Sequence, residues 1–582
     1  MAARRAWMPN AFTWQVAETF GQAEHLARQL HTTDLVAQVL HNRGLDGVEV
    51  ARAFMAPQLT ALHDPTLLAG AEQAAKRIAG AIQRQEKIVL YGDYDVDGIT
   101  GVAILHACLD MLGAHADYYV PHRLNEGYGV NAEAIRTICD QGAGLIVTVD
   151  CGISAVDPVA SAAAAGADVI VTDHHTPGPD LARAAAVVHP RLGRTYPNEH
   201  LCGAGVAFKL AWQTAREIRG ESRVDDAMRT FLVEATALAA LGTIADVVPL
   251  VGENRVLAWF GLKGLAATQH VGLRALLASA GLAGRTLDAF DVGFRLAPRL
   301  NAAGRMGHAR DAVELLARPT PQRAERIARG LDRQNTERQE VDRATTDQAA
   351  EMVVSAGLDS PDAHAIVLGS DAWHGGVIGI VAARLVERFD RPAVLVSFDG
   401  DLGRGSGRSV EGVNLVEALR ACSEHLVSFG GHALAAGLRI ERANLPAFAQ
   451  ALDAYVRDRR RDRPGRAVLD IDAETALGAL SYPAVAHLEK LAPFGPGNSP
   501  PLVAVKGCRL LGTPRRMGRN GQTVGLTLAR DGATLRAVGF SMGDLADALV
   551  GVNTIDAAGQ PQLNTYNGRT SVQLQLRDVK WT

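Results

Sequence analysis

Apolar positions along the chain follow patterns that change several times between its two ends. From about residue 66 to 250, short and nearly continuous apolar runs alternate with alanine-rich stretches of helical pattern. Such runs are typical of buried parallel strands in an α/β sheet, so we expect one here. The predicted strands are Lys87–Tyr91, Leu145–Val149, Asp168–Thr172 and Ala186–His189. The preceding residues, 1–65, are predicted to be a small helical lead-in.

The pattern changes at residue 320, where Thr320 followed by Pro321 makes a good start for a helix. Apolar residues then recur at mostly helical spacings on a strongly charged stretch that ends near Gly357. The charges of this stretch roughly cancel. We therefore predict a long, largely exposed connecting helix over 320–357 rather than a binding surface.

Two further regions follow the long helix. Residues 358–456 repeat the α/β pattern, with apolar runs at Ala365–Leu368 and Ala393–Ser397. An arginine-rich stretch over 457–464 is predicted to be an exposed linker. The last region, 465–582, has short alternating runs that indicate a small β-barrel, namely Leu502–Val505, Thr523–Leu528 and Ser571–Leu576.

These patterns predict a mixed α/β protein whose long helix joins two α/β domains and whose C-terminal domain is a β-barrel. The predicted segments are 1–65, 66–319, 320–357, 358–456 and 465–582.

Composition narrows the class of protein. The formal net charge is -4, so any contact with nucleic acid must use local basic surfaces. The most apolar long stretch, 231–251, contains Glu234 and Asp246, and the N-terminus lacks the apolar core of a signal peptide. We therefore expect a cytoplasmic protein without a membrane span. The six cysteines form no CxxC pair, which favours reduced thiols over a zinc cage or disulfides.

The strongest local signal for chemistry is a run of three acids at alternate positions, Asp93, Asp95 and Asp97, directly after a predicted buried strand. Carboxylates this close repel one another unless a cation neutralises them, and hard oxygen ligands suit Mg²⁺ or Mn²⁺. An EF-hand loop begins in a similar way. That loop needs a glutamate at its twelfth position, where this chain has Ile104, and a helix rather than a strand before it.

Two more predicted strands end in the same kind of residue. Asp150 follows the second strand, and Asp173-His174-His175 follows the third. Ligands bind beyond the carboxyl ends of parallel strands, so we expect these side chains and the first acids at one sheet edge. Asp246 lies just beyond an apolar helical run. Any one of these acids alone could be a helix cap, but the set is suited to a two-metal centre for phosphoryl hydrolysis.

In order and context, these residues resemble the four motifs of the DHH phosphoesterase superfamily: Asp95 with Asp97, Asp150, Asp173-His174-His175, and Asp246. The resemblance implies that Asp150 bridges two ions, either Mn²⁺ or Mg²⁺. It also implies that Asp95 serves one ion, and that Asp97, His174 and Asp246 serve the other.

The resemblance gives roles to two more residues and contains one departure. It implies that His175 lies beside the scissile phosphate, where it holds the phosphate or assists proton transfer. Asp93 is a further ligand or a base outside the ligand shell. Other branches of the superfamily place a metal-binding histidine four residues before Asp95, where this chain has Tyr91. This departure favours the nuclease branch.

The second α/β region narrows the choice further. The Gly-Gly-His run in 429–437 resembles the signature of the associated substrate domain, with Gly431 and His432 approaching a phosphate. Arg404 and Arg408 flank a Gly-Ser-Gly run suited to phosphate, and His374 precedes a helix start that would favour an anion. Taken alone, the Gly-Gly-His run would also fit a tight turn with a structural histidine, and the segment from Arg404 to Arg408 would also fit a flexible surface loop.

Three segments resemble the RecJ family of exonucleases in particular. They contain Arg305 in 298–306, His122 and Arg123 in 121–129, and the Pro-Phe-Gly-Pro-Gly-Asn run at 493–498. The resemblance implies a monomeric 5′→3′ exonuclease that trims single-stranded DNA to mononucleotides in repair and recombination. A helicase and a single-strand-binding protein would be its partners, and the C-terminal barrel would be an OB-fold.

The predicted barrel carries a weak signal of its own for nucleic acid. It has 12 Lys and Arg against 9 Asp and Glu, with Arg515, Arg516 and Arg519 in one predicted loop and Tyr566 as a possible base-stacking residue. Two alternative functions remain open. One is a DHH phosphoesterase for small nucleotides or short oligonucleotides, and the other is a structural replication protein built on a DHH core.

Overall fold

The computed structural model describes residues 12–123, 126, 129–220, 223–317, 319–460, 467–566 and 568–581. The chain divides into two compact units. Unit 1 comprises Met1–Ala56, Val341–Ala492 and Pro500–Thr582, and unit 2 comprises Pro57–Glu340 and Pro493–Ser499. The boundary between 340 and 341 falls inside the long helix.

The N-terminal part of unit 1 contains strand β1 (Phe12–Val16) and helices α1 (Ala23–Leu30), α2 (Asp34–Asn42) and α3 (Val48–Met55). The prediction of a purely helical lead-in was wrong for β1, which pairs in parallel with a strand at Ala467–Ile471. Trp14 of β1 donates a hydrogen bond to Asp578 at 2.7 Å. A five-residue strand whose partner lies so far along the chain leaves little local signal.

Unit 2 is built on a five-stranded parallel sheet in the order β3-β2-β4-β5-β6. Its strands are β2 (Lys87–Gly92), β3 (Ala116–Tyr119), β4 (Ala143–Val149), β5 (Asp168–Thr172) and β6 (Ala186–Val188). Its helices before the long one are α4 (Ala71–Gln83), α5 (Val96–Met111), α6 (Ala132–Asp140), α7 (Val156–Ala164), α8 (Gly203–Arg219), α9 (Asp226–Ala245), α10 (Gly252–Ala267), α11 (Val271–Ser279), α12 (Ala289–Asp291), α13 (Ala297–Met306) and α14 (Arg310–Leu316).

Both faces of this sheet are buried, which explains the continuous apolar runs in the sequence. Leu90 and Val147 face one core, and their neighbours Val89 and Ile146 face the other. The first core is the larger and contains residues of α4, α5, α8 and α9. Because strands β2, β4 and β5 run in parallel, their carboxyl ends meet at one edge, and the acidic motifs follow that edge.

Helix α9 is long and apolar enough to cross a membrane by length and composition alone, and it is the one such helix among the described residues. Most of it is buried inside the protein, where it packs against α5, α8 and α10. This is the position of a core helix in a folded domain. All six cysteines lie in the described part of the chain and are free.

The long helix α15 runs over Pro321–Ser355, close to the predicted 320–357. Its first half is held to unit 2 by Arg323, which pairs with Glu314 at 2.5 Å, and by Asp332, which pairs with Arg299 at 2.9 Å. Its second half is held within unit 1, where the buried Asp342 pairs with Arg384 at 2.7 Å. Each half is therefore a fixed part of its own unit.

The second α/β region in unit 1 is a five-stranded sheet in the order β10-β11-β9-β8-β7, parallel between β7 and β8 and antiparallel elsewhere. Its elements are β7 (Ile366–Ser370), α16 (Ile378–Phe389), β8 (Ala393–Asp399), β9 (Leu402–Arg408), α17 (Leu415–Ala421), β10 (Ser428–Gly431), β11 (Ala435–Glu441) and α18 (Leu445–Arg459). The arginines at 457 and 459, predicted to lie in a linker, instead end α18, and residues 461–466 lie outside the described residues.

The C-terminal region is a closed barrel. Its strands follow the order β13-β14-β18-β19-β17-β16-β15, and β14 also pairs with β16. The elements are β12 (Ala467–Ile471), which pairs with β1, β13 (Ala473–Glu474), α19 (Tyr482–Glu489), β14 (Val503–Leu510), β15 (Arg515–Met517), β16 (Thr523–Arg530), β17 (Ala533–Phe540), α20 (Leu545–Ala548), β18 (Thr554–Tyr566) and β19 (Arg569–Lys580).

Two of the arginines predicted to share a loop of the barrel lie instead on a strand. Arg515 and Arg516 belong to β15, which pairs with β16, and Arg519 lies in the turn that follows. Arg516 pairs with Asp544 at 2.9 Å and with Asp547 at 2.5 Å, so part of the expected basic charge is neutralised locally. Tyr566 at the end of β18 is 73% exposed, which leaves its ring open to a partner.

Candidate metal centre

The acidic residues of unit 2 are brought to one place by the ends of three neighbouring strands and by two helices, α5 and α9. Asp93 follows β2, Asp150 follows β4, and Asp173 follows β5. Asp95 caps α5 by accepting hydrogen bonds from the backbone of Asp97 (2.9 Å) and Gly98 (3.3 Å). Each strand thus ends in a carboxylate at the shared edge of the sheet.

The predicted ligands form three overlapping clusters. Within each cluster, the ligand atoms lie within 4.8 Å of one another. One cluster contains Asp93, Asp95 and Asp150; a second contains Asp97, His174 and Asp246; a third contains Asp150, His174 and His175. Asp150 and His174 belong to two clusters each. The structure therefore brings together all seven residues that the sequence analysis placed at the metal centre or beside it.

His174 lies at the middle of this arrangement. Its Nε2 atom is 3.1 Å from Asp150 Oδ1 and 3.6 Å from both Asp97 Oδ2 and Asp246 Oδ2. Burial lowers the pKa of His174 to about 4, so the imidazole is neutral at physiological pH. A neutral ring nitrogen facing several carboxylates is the form in which histidine binds a metal ion.

Three candidate metal-binding atoms of this site make no hydrogen bond within the described part of the chain. Asp93 Oδ1, Asp150 Oδ1 and His174 Nε2 are buried and make no hydrogen bond among the described residues, although two of them lie 3.1 Å apart. Buried polar atoms are almost always paired, so three orphan atoms in one site require a missing group. Carboxylate oxygens with one or two imidazole nitrogens and no thiolate suit Mn²⁺ or Mg²⁺.

The carboxyl groups also resist ionisation when no cation is present. Burial raises the pKa of Asp246 to about 8, with a further contribution from Asp97. Burial and neighbouring carboxylates likewise raise the pKa of Asp93 and Asp150 well above the ordinary value. Divalent cations would remove this repulsion and allow the cluster to ionise, so the residues fit a metal centre.

Asp173 has a different function from its neighbours, and the sequence analysis gave it no separate role. It accepts hydrogen bonds from the backbone of Ile153 (2.9 Å), His174 (2.7 Å) and His175 (3.1 Å), and it lies 2.7 Å from the Nδ1 atom of His175. Although burial opposes ionisation, these bonds lower the pKa of Asp173 to about 2. Asp173 is therefore a charged anchor for the histidine beside it.

His175 is protonated more readily than an ordinary histidine. Burial acts against the charge, but the hydrogen bond to Asp173 and the nearby carboxylates raise the pKa of His175 to about 9. Its ring is partly exposed, unlike that of His174. The two histidines of the motif thus differ in chemistry, since lowering of its pKa keeps His174 neutral and raising of its pKa favours the cationic form of His175.

Two of the predicted substrate contacts of unit 2, Arg123 and Arg305, lie near Tyr94, the residue between the first two acids. The Arg123 guanidinium stacks over the Tyr94 ring at 4.7 Å, and the His122 ring meets that of His308 at 5.7 Å. Arg305 lies on α13, next to Gly304, where an added Cβ would lie only 3.0 Å from the Tyr94 carbonyl oxygen. Arg123 and Arg305 therefore lie beside the segment that carries Asp93 and Asp95.

Glu126 joins the segment around His122 to Tyr119 of β3 by hydrogen bonds, and no pattern in the sequence indicated this role. Its carboxylate accepts hydrogen bonds from the His122 backbone (2.7 Å) and from the Tyr119 hydroxyl (2.6 Å). Tyr91, four residues before Asp95, donates a hydrogen bond to the Gly129 carbonyl at 3.2 Å. Residues 124, 125, 127 and 128 of the same segment lie outside the described residues.

The remaining predicted substrate contacts lie in unit 1. Arg404 and Arg408 are four residues apart on β9 and so share one face of the sheet. Gly431 ends β10 with a φ of 141°, and an added Cβ there would lie 2.5 Å from the Ala435 carbonyl oxygen, so glycine is required. The backbone N–H of His432 donates a hydrogen bond to that same oxygen. The Nδ1 atom of His374 accepts a hydrogen bond from the backbone N–H of Gly376 at 3.1 Å.

Comparison with known proteins accounts for nearly the whole chain. The family model for the DHH family, N-terminal domain, matches residues 87–242, that for the DHHA1 domain matches 362–458, and that for the RecJ OB domain matches 471–578. The chain is 40% identical to the single-stranded-DNA-specific exonuclease RecJ of Bacillus subtilis, covering 96% of this chain and 69% of that protein. The chain belongs to the RecJ family.

Other RecJ proteins agree in sequence and in fold. The Thermus thermophilus exonuclease RecJ is 37% identical over 89% of this chain and 72% of its own. The crystal structure of the T. thermophilus protein with Mn²⁺ superposes with a TM-score of 0.83, at 32% identity over 99% of this chain and 80% of that one. A T. thermophilus structure with Mg²⁺ matches with a TM-score of 0.78, at 31% identity over 98% of this chain and 79% of that one. Members of this family thus hold the two metals that the sequence analysis named.

Proposed function

We propose that this chain is a metal-dependent exonuclease that hydrolyses the phosphodiester bonds of single-stranded DNA. The observation that carries the proposal is the acidic centre of unit 2, where three buried ligand atoms make no hydrogen bond to any residue that the structure describes. Its relatives are single-stranded-DNA-specific exonucleases, and structures of RecJ contain Mn²⁺ or Mg²⁺. The same donor set in this chain is suited to these ions.

The family resemblance implies a role for each ligand, and the overlap of the clusters supports it. Asp150 would be shared between two ions, Asp95 would serve one of them with Asp93 beside it, and Asp97, His174 and Asp246 would serve the other. Two such ions would supply an activated water and neutralise the attacking and leaving oxygens of a phosphate. The protein holds the carboxylates in place before substrate arrives, so little reorganisation is needed during the reaction.

His175 is placed to act on the substrate itself. Asp173 keeps its ring fixed and cationic, and part of the ring is open to solvent. A cationic imidazole donates a hydrogen bond to a phosphate oxygen and also supplies a proton to a leaving oxygen. Arg123 and Arg305 lie beside the segment that carries the first acids, and we assign them and His122 to the phosphates on either side of the scissile bond.

The proposed reaction proceeds from the 5′ end and releases nucleoside 5′-monophosphates, as the family resemblance implies. The associated domain at 358–456 would contact the backbone through His374, Arg404, Arg408, Gly431 and His432. The barrel at 465–582 would bind the strand beyond it. The helix at 320–357 would join the domains, with residues 1–65 before them.

The same resemblance suggests the setting in which the enzyme works. We expect a cytoplasmic monomer that acts in DNA repair and recombination beside a helicase, which supplies the single strand, and a single-strand-binding protein. Recovery of these partners with the chain, and the mass of the chain in solution, would test this part separately from the chemistry.

Digestion of end-labelled DNA tests the proposal. Single-stranded DNA labelled at the 5′ end, the same strand labelled at the 3′ end, and a duplex control are each incubated with Mn²⁺, Mg²⁺ or chelator. The account predicts early release of the 5′ label as mononucleotide, only with metal and only from the single strand. Cleavage of dinucleotides without cleavage of long strands would instead indicate the small-nucleotide phosphoesterase. No hydrolysis of any substrate with either metal would favour the structural alternative.

A further inference from the structure

The first turn of α8 packs directly against the acidic centre. The backbone N–H of Gly203 donates to Asp97 Oδ2 at 2.6 Å, and that of Ala204 donates to Asp97 Oδ1 at 2.8 Å. These N–H groups have no partner inside their own helix, and the positive end of a helix favours a carboxylate. Both oxygens of one proposed metal ligand are therefore oriented by a helix that carries no ligand of its own.

Gly203 also lies against a second proposed ligand. A Cβ added at Gly203 would lie 2.6 Å from both Cβ and Oδ1 of Asp150, and 2.7 Å from its Cγ. These distances are far below van der Waals contact, and the backbone of Asp150 is itself held in the left-handed region with a φ of 64°. Any side chain at position 203 would therefore displace the carboxylate shared between the two clusters.

The same turn is tied to the helix that presents Asp246. Cys202 caps α8 by accepting a hydrogen bond from Gly205 at 3.4 Å, and its sulfur lies 3.4 Å from the Thr243 hydroxyl on α9. Gly242, beside Thr243, has no room for a Cβ, which would lie 2.5 Å from Asp97 Oδ1. One turn of backbone thus contacts the elements that carry three of the ligands.

We propose that Gly203 is a positioning residue of the metal centre. Its N–H fixes Asp97, and its missing side chain leaves the space that Asp150 occupies, so the two carboxylates are held at one mutual position. The inference rests on the proposed function insofar as these carboxylates bind metal ions. Gly203 touches neither an ion nor substrate, and it acts only through the ligands beside it.

A titration of the metal-free full chain with Mn²⁺, followed by calorimetry, tests this role without relying on activity. The Gly203→Ala variant is expected to bind Mn²⁺ at least about tenfold more weakly than the unchanged chain, as is usual when the support of a ligand is lost. The matched control is Gly264→Ala on α10, where the nearest atom to an added Cβ is 3.6 Å away. That control is expected to bind Mn²⁺ within about twofold of the unchanged chain.

A second measurement covers the case in which the variant folds poorly. Asp150→Gly removes the side-chain atoms that collide with the new methyl group and suits the left-handed backbone at that position. In the metal-free chain, Gly203→Ala is expected to lower the unfolding midpoint by at least about 3 °C, and by less than half as much in the Asp150→Gly background. Equal losses in both backgrounds, or no folded protein in either, would overturn the inference.

The titration separates the failure of this inference from the failure of the proposed function. If Gly203→Ala binds Mn²⁺ as tightly as the unchanged chain, only the positioning role is overturned. If the unchanged chain binds no Mn²⁺, the metal centre itself is overturned, and the positioning role with it.

Discussion

Two clusters of buried ionisable side chains in unit 2 differ in whether the protein itself supplies the hydrogen-bond and ion-pair partners of their polar atoms. In the first, Lys209 pairs with Glu253 at 2.5 Å, and both side chains are fully buried. Lys209 also donates to the His63 carbonyl, while Glu253 accepts from the His63 backbone at 3.0 Å and from the Tyr196 hydroxyl at 2.6 Å. Each charge has its partners within the same unit.

The acidic centre also contains deeply buried side chains, but several of their polar atoms make no hydrogen bond within the part of the chain that the structure describes. Asp93, Asp150 and His174 each present a buried atom that has no hydrogen bond among the described residues. An unpaired buried polar atom lowers the stability of the fold, so such an atom is retained where it has a function such as binding a ligand. The comparison separates a polar cluster that stabilises the fold from one that is prepared for a ligand, and the two should respond in opposite ways to mutation.

The largest effect is expected from Asp150→Asn. Asparagine tolerates the left-handed backbone at this position, so the fold should be kept. Loss of the shared ligand should lower the rate of DNA hydrolysis at least about 10⁴-fold, or about 5.5 kcal/mol in the activation barrier. The metal-free variant should be at least as stable as the unchanged chain, because asparagine removes a buried carboxyl group whose pKa is raised by burial and by the neighbouring carboxylates. Both are checked by single-turnover digestion and urea unfolding. Hydrolysis near the original rate would contradict the assignment.

The structural cluster should show the reverse. Lys209→Met leaves the Glu253 carboxylate buried without its cation and should reduce the free energy of unfolding by about 3–5 kcal/mol. Activity per folded molecule should stay within about twofold, because the pair is separate from the acidic centre. Adding Glu253→Gln to this variant should restore part of the loss. Urea unfolding of the two variants checks this, and a loss under about 1 kcal/mol would argue against the cluster's role.

Asp173→Asn tests whether Asp173 orients His175, and an effect on activity between those of the two preceding variants is expected. Hydrolysis should fall by about 10–100-fold while Mn²⁺ affinity stays nearly unchanged, because Asp173 orients His175 and does not contribute to any of the ligand clusters. The pKa of His175 should fall from about 9 towards its ordinary value, which a histidine-selective NMR titration of the metal-free protein would detect. A parallel loss of metal affinity would show that Asp173 acts through His174 instead.

The pH dependence of this pair follows from the two shifts. The raised pKa of His175 stabilises the fold below pH 6.5, and this contribution is lost as the pH rises through 9. The lowered pKa of Asp173 stabilises the fold above about pH 4, and this contribution is lost as the pH falls through 2. The stability difference between the unchanged chain and Asp173→Asn should therefore be largest between pH 4 and 6.5. A difference that is flat from pH 4 to 9 would contradict the assignment.

The last prediction concerns the pH dependence of stability at the metal-free acidic centre. Because the pKa of Asp246 is raised to about 8, the folded state binds a proton that the unfolded state releases near pH 4. The metal-free protein should thus lose stability as the pH rises from about 4 to 8, and saturating Mn²⁺ should remove this trend. Thermal unfolding across this range, with and without Mn²⁺, is the measurement. A trend that Mn²⁺ leaves unchanged would argue against the site.

The sequence predicted the framework of the centre because that framework is local. A continuous apolar run followed by aspartate marks both the strand and its end, and the predicted Asp168–Thr172 strand has the same bounds in the structure. The order of such strands in a parallel sheet then places their ends together. The residues that follow them, including Asp150 and His174, can therefore be grouped from the sequence alone.

Features that depend on packing between distant segments could not be predicted in this way. Strand β1 pairs with a strand hundreds of residues away, and β15 is a three-residue strand that forms only against β16. The approach of α8 to Asp97 also leaves no periodic signal, because it is made by backbone amides. The role of Asp173 depends on a side-chain geometry that the motif spacing does not determine.

The central claim is that the buried, unpaired donors of unit 2 are there to bind metal ions. Equilibrium titration of the chelator-treated chain with Mn²⁺, beside Asp150→Asn, tests it most directly. The account predicts two bound ions per chain, with at least one lost in Asp150→Asn while the Lys209→Met variant keeps both. The account would be contradicted if the unchanged chain bound no Mn²⁺, or if Asp150→Asn bound it with the same affinity and number.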